Sequence, residues 1–335
     1  MSKEMRTLFM GMSGQFSHIV LERLLARGIN VVAVLLTGPK NVPLRAVFPA
    51  AGTDLPTQGE EFELPLLNPA VTLATTALEE KCVSRSGGQG NSASHVASVS
   101  GSPLALAANK GIPAYECGKV GHQETTGWLK ELALDVVSVA CWNSVIPAPV
   151  LEIPRFGFLN VHPSLLPAYR GPFPLFWQFR NGETETGVTV HWMDAGLDTG
   201  DIAGRREIRF RGGIRGASAE ALCAKSGGNL LAESIGRLSR SDALRQPQPL
   251  GGTYYPAPSQ DDFTLDSKWH ARRAFNFMRG TAEWGIPFSV ESDGRLYRLS
   301  DAIQWQEDAS SETPDCGMVW ASFQGGSVLA EVWPD

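Results

Sequence analysis

RTLFMGMSGQFSHIVLERLLARGINVVAVLL, residues 6–36, decides the fold class. Residues 6–10 are a short apolar run that ends at Gly11. Residues 16–26 (FSHIVLERLLA) then place apolar side chains at helical spacing, and Gly28 follows that run. Residues 31–36 (VVAVLL) are a continuous apolar run rich in β-branched side chains, the pattern of a strand buried on both faces. Strand, helix and strand with short joins open a parallel α/β sheet.

Working outward, residues 134–140 (LDVVSVA) repeat the buried-strand pattern, and residues 157–162 and 187–193 (GVTVHWM) read as further strands. Residues 113–115 suggest a short strand, residues 150–153 the end of a short helix, and residues 122–132 and 217–238 longer helices. Residues 38–65 are irregular and rich in Pro and Gly. Residues 84–102 (SRSGGQGNSASHVASVSGS) are nearly all small and polar, which predicts a mobile loop. A second domain is expected from about residue 260. It has a helix-like run over 265–278, then short strands with turns at 292–294 and 325–326. The expected organisation is 1–240, a connector over 241–258, and a small β-rich module, barrel-like, over 259–335.

Composition narrows the class. A chain of 335 residues with 43% hydrophobic and 19% charged residues can build one sizeable core and a smaller one. A mean hydropathy of −0.10 is that of a soluble globular protein. The net charge of −6 advertises no chain-wide basic surface for nucleic acid or anionic lipid. Cys82, Cys117, Cys141, Cys223 and Cys316 are an odd set without a CxxC pair, which favours free thiols in a reducing compartment. The N-terminal residues lack the apolar run of a signal peptide, and no window reaches the ~18 apolar residues of a membrane span. A cytoplasmic location with no membrane partner is the expectation.

Gly11 and Gly14 (GMSG) lie where a strand meets a helix. The spacing does not match GxGxxG, so a nicotinamide cofactor is not expected, and glycines that permit a tight turn are the simpler reading. Ser13, Gly14 and Gln15 are candidates to line a substrate mouth.

The polar chemistry concentrates in residues 158–202, FLNVHPSLLPAYRGPFPLFWQFRNGETETGVTVHWMDAGLDTGDI. Asn160 and His162, two residues apart on a strand, share one face. Asp198 follows in a glycine-flanked loop. An amide, an imidazole that titrates near neutrality and a carboxylate can together orient a carbonyl, move a proton and hold the imidazole in place.

HPSLLPAYRG followed by TGVTVHWMDAGLDTGDI closely resembles the signature of enzymes that use 10-formyltetrahydrofolate. These include methionyl-tRNA formyltransferase, glycinamide ribonucleotide formyltransferase, amino-sugar N-formyltransferases and the formyltetrahydrofolate hydrolases. The resemblance covers about residues 5–238. The tail (YYPAPSQDDFTLD, WHARRAFNFMRG, LYRLSDA) is similar to the C-terminal domain of methionyl-tRNA formyltransferase, whose overall layout is the nearest. It implies a Rossmann-like, mostly parallel catalytic domain followed by an OB-like barrel. It also implies 10-formyltetrahydrofolate as formyl donor, with no metal.

Carried over, the catalytic residues fall on Asn160, His162 and Asp198. Asn160 would donate to the oxyanion of a tetrahedral intermediate, His162 would stabilise charge or shuttle the proton, and Asp198 would orient the imidazole or hold a relay water. The folate would lie along Cys141, Trp142, Asn143, Val145 and Ile146 on one side and Asp194, Gly196 and Leu197 on the other. Cys141 and Trp142 depart from the family's usual residues there, and core packing is the equal alternative for them. Ser164 and Arg170 fall on the rim between folate and acceptor, where Arg170 would meet an acidic acceptor or brace its own loop.

The acceptor is where the chain departs from the tRNA enzymes. Residues 37–65, where those enzymes carry a basic insertion, hold only Lys40 and Arg45 against four acidic residues. Residues 256–335 contain six Lys and Arg against thirteen Asp and Glu. Phosphate contacts supply much of nucleic-acid affinity, so an acidic module disfavours tRNA as a partner. The expected acceptor is a small-molecule amine or hydroxylamine, or an aminoacyl group on a carrier. Met-tRNA and water, the latter making a hydrolase, are the alternatives.

Overall fold

The computed structural model describes residues 4–48, 102–308 and 313–334. Most of the Pro- and Gly-rich stretch to residue 65 and the small-polar stretch 84–102, except Ser102, lie outside them. The chain divides into two compact units with the boundary between Phe158 and Leu159.

In the first unit, β1 (Thr7–Gly11), α1 (Gln15–Ala26) and β2 (Val31–Thr37) form the expected βαβ opening. β1 is buried along its whole length and pairs in parallel with β2 on one side and β5 (Val136–Ala140) on the other. β2 pairs in parallel with β4 (Ala114–Cys117), which in turn pairs antiparallel with β3 (Arg45–Phe48). α2 (Pro103–Asn109) begins at Ser102, whose hydroxyl accepts from the Ala105 N–H at 3.0 Å. That cap satisfies one of the orphan donors at the helix start. α3 (Gln123–Glu131) and α4 (Ala148–Leu151) precede and follow β5.

Gly11 is required for close approach rather than for a phosphate. A Cβ there would lie 2.9 Å from Ser17 Oγ and 3.0 Å from the Ala140 carbonyl oxygen. The Ser17 hydroxyl donates to that carbonyl at 2.8 Å and accepts from the Met12 N–H at 3.1 Å, tying the start of α1 to the end of β5.

The second unit opens with β6 (Phe158–His162), at whose start the boundary falls, then α5 (Pro174–Asn181), β7 (Glu185–Trp192) and β8 (Ile202–Arg209). β7 pairs antiparallel with both β6 and β8. α5 and β8 were not expected from sequence. The long helix α6 (Gly216–Ser239) buries Cys223, Leu230, Leu231 and Ile235. Burial pushes the thiol of Cys223 up to about 12 and, in the first unit, that of Cys117 up to about 11.

Residues 259–334 hold α7 (Ala271–Thr281) and an antiparallel sheet, β9 (Phe288–Ser292), β10 (Arg295–Gln306), β11 (Met318–Phe323) and β12 (Gly326–Val332), in the order β11-β12-β10-β9. The turns fall at Asp293–Gly294, as expected, and at Gln324–Gly325, one residue before the expected 325–326 because Gly326 already pairs with Phe323. α7 begins at Ala271, six residues beyond the predicted start, because the ring of His270 caps it by accepting from the Arg272 N–H. The core of this region is aromatic: Phe263, Phe277 and Phe288 pack with Phe176 and Trp177 of α5 and Ala219 of α6. No described helix is long and apolar enough to cross a membrane.

Candidate active site

The antiparallel pairing of β6 with β7 sets Asn160 opposite His191 and His162 opposite Thr189. Asp198 reaches the same place from the loop after β7. Its carboxylate lies between two imidazoles, 3.6 Å from His162 Nδ1 through Oδ2 and 3.5 Å from His191 Nε2 through Oδ1. Both are longer than a direct hydrogen bond, and each becomes a charge contact when its imidazole is protonated. The Gly171 N–H donates to Oδ2 at 2.9 Å.

His162 is 4% exposed, and its Nε2 lies 2.7 Å from the Tyr169 carbonyl oxygen. A carbonyl only accepts, so this nitrogen carries the proton and Nδ1, facing Asp198, is the basic one. The same reasoning fixes His191. Its Nδ1 donates to the Trp192 carbonyl at 3.0 Å, which leaves Nε2 to accept from Asn160 Nδ2 at 3.1 Å. One N–H of the Asn160 amide is thereby held by His191 and the second is left for another acceptor.

Burial, the largest influence on His162, pulls its pKa below the usual histidine value. Asp198 and the Tyr169 carbonyl oppose that pull, while His191 adds to it. For Asp198 burial is again the largest single influence and acts upward. It is outweighed by the charge of His162, by His191 and by the Gly171 N–H, which together hold the carboxyl well below the usual range. At neutral pH the arrangement is therefore an ionised carboxylate beside a neutral imidazole ready to accept a proton.

The loops that bring these groups together adopt sparsely populated backbone. Tyr169 has φ +60° and Asp198 φ +55°, both left-handed without being glycine. Gly171 has φ +115°, and a Cβ there would come within 2.1 Å of the Tyr255 carbonyl oxygen. The Tyr169 ring stacks on Tyr255 (5.4 Å between centroids), which stacks on Trp177 (4.8 Å).

The remaining sequence candidates of this unit are placed as follows. Ser164 is fully buried and its hydroxyl donates to the Ala168 carbonyl at 2.7 Å, so it braces its own turn. Arg170 donates through Nη2 to Gln248 Oε1 at 2.9 Å. Asp194 accepts from the Gly196 N–H at 3.0 Å and from the Thr199 hydroxyl at 2.8 Å, folding the loop on itself. Leu197 projects from that loop, 52% exposed.

The other candidates belong to the first unit. Ser13 and Gln15 are exposed and Gly14 half-buried after β1. The loop after the neighbouring β5 carries Cys141 (φ +58°), Asn143 and Val145 (65% exposed), with Ile146 buried. The indole Nε1 of Trp142 is buried without a hydrogen-bond partner. β1 lies between β2 and β5, so the chain runs both ways from it. The carboxyl ends of β1 and β5 thus flank the switch point where open α/β sheets bind ligands.

Sequence reasoning missed His191, the Tyr169 carbonyl, the Gly171 N–H and Gln248. The first was visible only as an alternating residue of a strand, and its partnership with Asn160 depends on a register that the sequence does not state.

Residues 84–213 match the family model described as Formyl transferase. The chain is 35% identical over 203 residues to the methionyl-tRNA formyltransferase of Geobacter metallireducens, covering 59% of this chain and 65% of that relative. It is 34% identical over 233 residues to that of Citrifermentans bemidjiense, covering 68% and 73%. Among solved structures, the N-formyltransferase from Helicobacter canadensis, in complex with folinic acid and dTDP-3-aminofucose, aligns with a TM-score of 0.59. That alignment has 15% identity and covers 98% of this chain and 100% of that one, a likeness of fold. The chain belongs to the formyltransferase family.

Proposed function

We propose that the chain transfers the formyl group of 10-formyltetrahydrofolate to an amine. The observation that carries this reading is the cluster in which half-buried Asn160 and Asp198 converge on buried His162 and His191. Attack of the amine nitrogen on the formyl carbon moves the carbonyl electron pair onto oxygen. The free N–H of Asn160 is suited to meet that oxyanion, a contact whose removal costs about 3 kcal/mol in oxyanion-hole variants. His162 Nδ1 takes the proton released by the amine, and Asp198 stabilises the resulting imidazolium. The proton then passes to the departing folate nitrogen as its bond to carbon breaks, leaving a formamide and tetrahydrofolate.

By the sequence resemblance the folate substrate is read, in the first unit, onto Cys141, Trp142, Asn143, Val145 and Ile146 with Ser13, Gly14 and Gln15 at the mouth, and, in the second, onto Asp194, Gly196 and Leu197. Supporting this are the unpartnered Trp142 indole N–H and the exposed apolar Val145 and Leu197. A ligand acceptor for a buried indole donor relieves the cost of leaving it unmade. We assign the catalytic part to residues 1–240 and a β-rich, OB-like module to residues 259–335.

For the acceptor we favour a small amine or a carrier-bound aminoacyl group, because residues 256–335 carry six basic against thirteen acidic residues. The second reading, Met-tRNA, is favoured by the names of the Geobacter and Citrifermentans relatives. The test mixes the enzyme with 10-formyltetrahydrofolate and, separately, Met-tRNA, amino-sugar nucleotides, aminoacyl carriers or no acceptor. Tetrahydrofolate formed only with a small or carrier-bound amine supports the first reading, and salt-sensitive formylation of Met-tRNA establishes the second. Formate released equally without any amine would make the chain a hydrolase.

A further inference from the structure

We propose that Gln248, in the connector between the two sequence-defined modules, is a positioning residue that holds Asp198 against its two histidines, an inference that rests on the formyl-transfer reading. The connector is not a free tether. Ile202 and Gln246 exchange backbone hydrogen bonds of 2.7 and 3.0 Å on one side of Gln248. On the other, Arg170 pairs with the Thr253 carbonyl and the Tyr255 N–H, each at 2.9 Å. Between residues 241 and 250 only Gln248 is not exposed.

Its carboxamide has two N–H donors and one strong acceptor, and all three are engaged. Nε2 donates to the carbonyl oxygens of Asp198 and Gly200, both at 2.8 Å, and Oε1 accepts from Arg170 Nη2 at 2.9 Å. One planar group thus fixes both carbonyls of the turn that carries the carboxylate. It also fixes Arg170, whose neighbour Gly171 donates its N–H to that carboxylate. Asp198 stands in a left-handed conformation that a non-glycine residue keeps only when its surroundings impose it. Glutamate would face two carbonyl oxygens with no donor, methionine would fill the space with none, and asparagine is one methylene short.

The experiment compares wild type with Gln248→Met, which preserves length and volume, and Gln248→Glu, which preserves the contact to Arg170. 10-Formyltetrahydrofolate is the donor and hydroxylamine the amine probe. A small misplacement of a reacting group is enough to lower kcat by about 10- to 100-fold in both variants, with KM for the donor within about twofold. Because Asp198 raises the pKa of His162, its displacement also moves the acid limb of kcat to lower pH. Wild-type kcat and pH profile in Gln248→Met overturn the proposal, and so does a rise in KM at constant kcat, which marks a substrate contact. Should either variant not fold, Gln248→Asn gives a partial loss in the same direction or contradicts the idea. Imidazole titration followed by NMR, with the His162 signal assigned from His162→Gln, decides independently of turnover. A lower His162 pKa in the folded variants supports the role, and an unchanged one removes it. A wild-type enzyme inert toward hydroxylamine, Met-tRNA, amino-sugar nucleotides and aminoacyl carriers alike would remove the formyl-transfer reading, while the titration would still judge Gln248.

Discussion

Two regions of the second unit, one partly and one wholly buried, are held together by opposite means. Around Asn160, His162, His191 and Asp198 the contacts are directional and polar, between 2.7 and 3.6 Å, and each group has a named partner. Around Phe176, Phe263, Phe277 and Phe288 the contacts are edge-to-face and tilted ring packings with centroids 5.2 to 6.3 Å apart. Ring burial is non-directional and scales with area, whereas a buried ion among imidazoles gains its worth from position and loses it quickly when a partner moves. The first region is therefore expected to govern rate and the second stability.

The sharpest way to break this contrast is to remove one group from each region. His162→Ala is expected to lower kcat by about 10²–10⁴-fold, the usual share of an acid–base catalyst, with little change in thermal midpoint. A wild-type rate would sink the site assignment. Phe277→Ala should do the reverse, destabilising by roughly 3–5 kcal/mol in denaturant melts while the folded fraction keeps its turnover number. Asn160→Ala should lower kcat by about 10²–10³-fold without weakening donor binding, as loss of an oxyanion donor does.

Acid titration separates the regions further, since only one of them titrates. The folded-state pKa of Asp198 lies below its unfolded value, so its contribution is present above that value, about 3.9, and is lost as pH falls through the folded pKa. His162 is shifted downward too, which means the unfolded chain takes up its proton first and stability falls once pH drops below about 6.5. His162→Gln should flatten the first part of the acid melt and Asp198→Asn the second, whereas Phe277→Ala should displace the whole curve without changing its slope. The smallest effect is expected at the solvent. The Arg209–Glu185 pair, at 2.7 Å but with both side chains largely exposed, should contribute less than about 1 kcal/mol and fade in salt, as tested by Glu185→Gln.

The same contrast explains what could be read from the chain alone. β1, β2 and β5 were legible because a strand buried on both faces leaves a predominantly apolar run. β8 (IAGRREIR) was not, since four of its eight residues are charged and three of those are exposed. α5 (PLFWQFRN) is short and aromatic, and its apolar residues are explained by the distant rings that they meet, among them Phe210, Tyr255 and those of residues 263–288. In the candidate site, the amide, imidazole and carboxylate announced themselves by type and spacing. His191 and Gln248 did not. One depends on strand register, and the other approaches from 50 residues downstream in a stretch whose composition is that of any polar connector.

Strand β8 has a consequence beyond its place in the fold. It ends its sheet, and an uncovered strand edge is a template on which another chain can add. Here Gln246 occupies the edge at Ile202, and beyond it Arg205, Glu207 and Arg209 stand exposed at alternate positions. A second strand docking there would have to accommodate that charged ladder. The protein thus carries its own guard against edge-to-edge association.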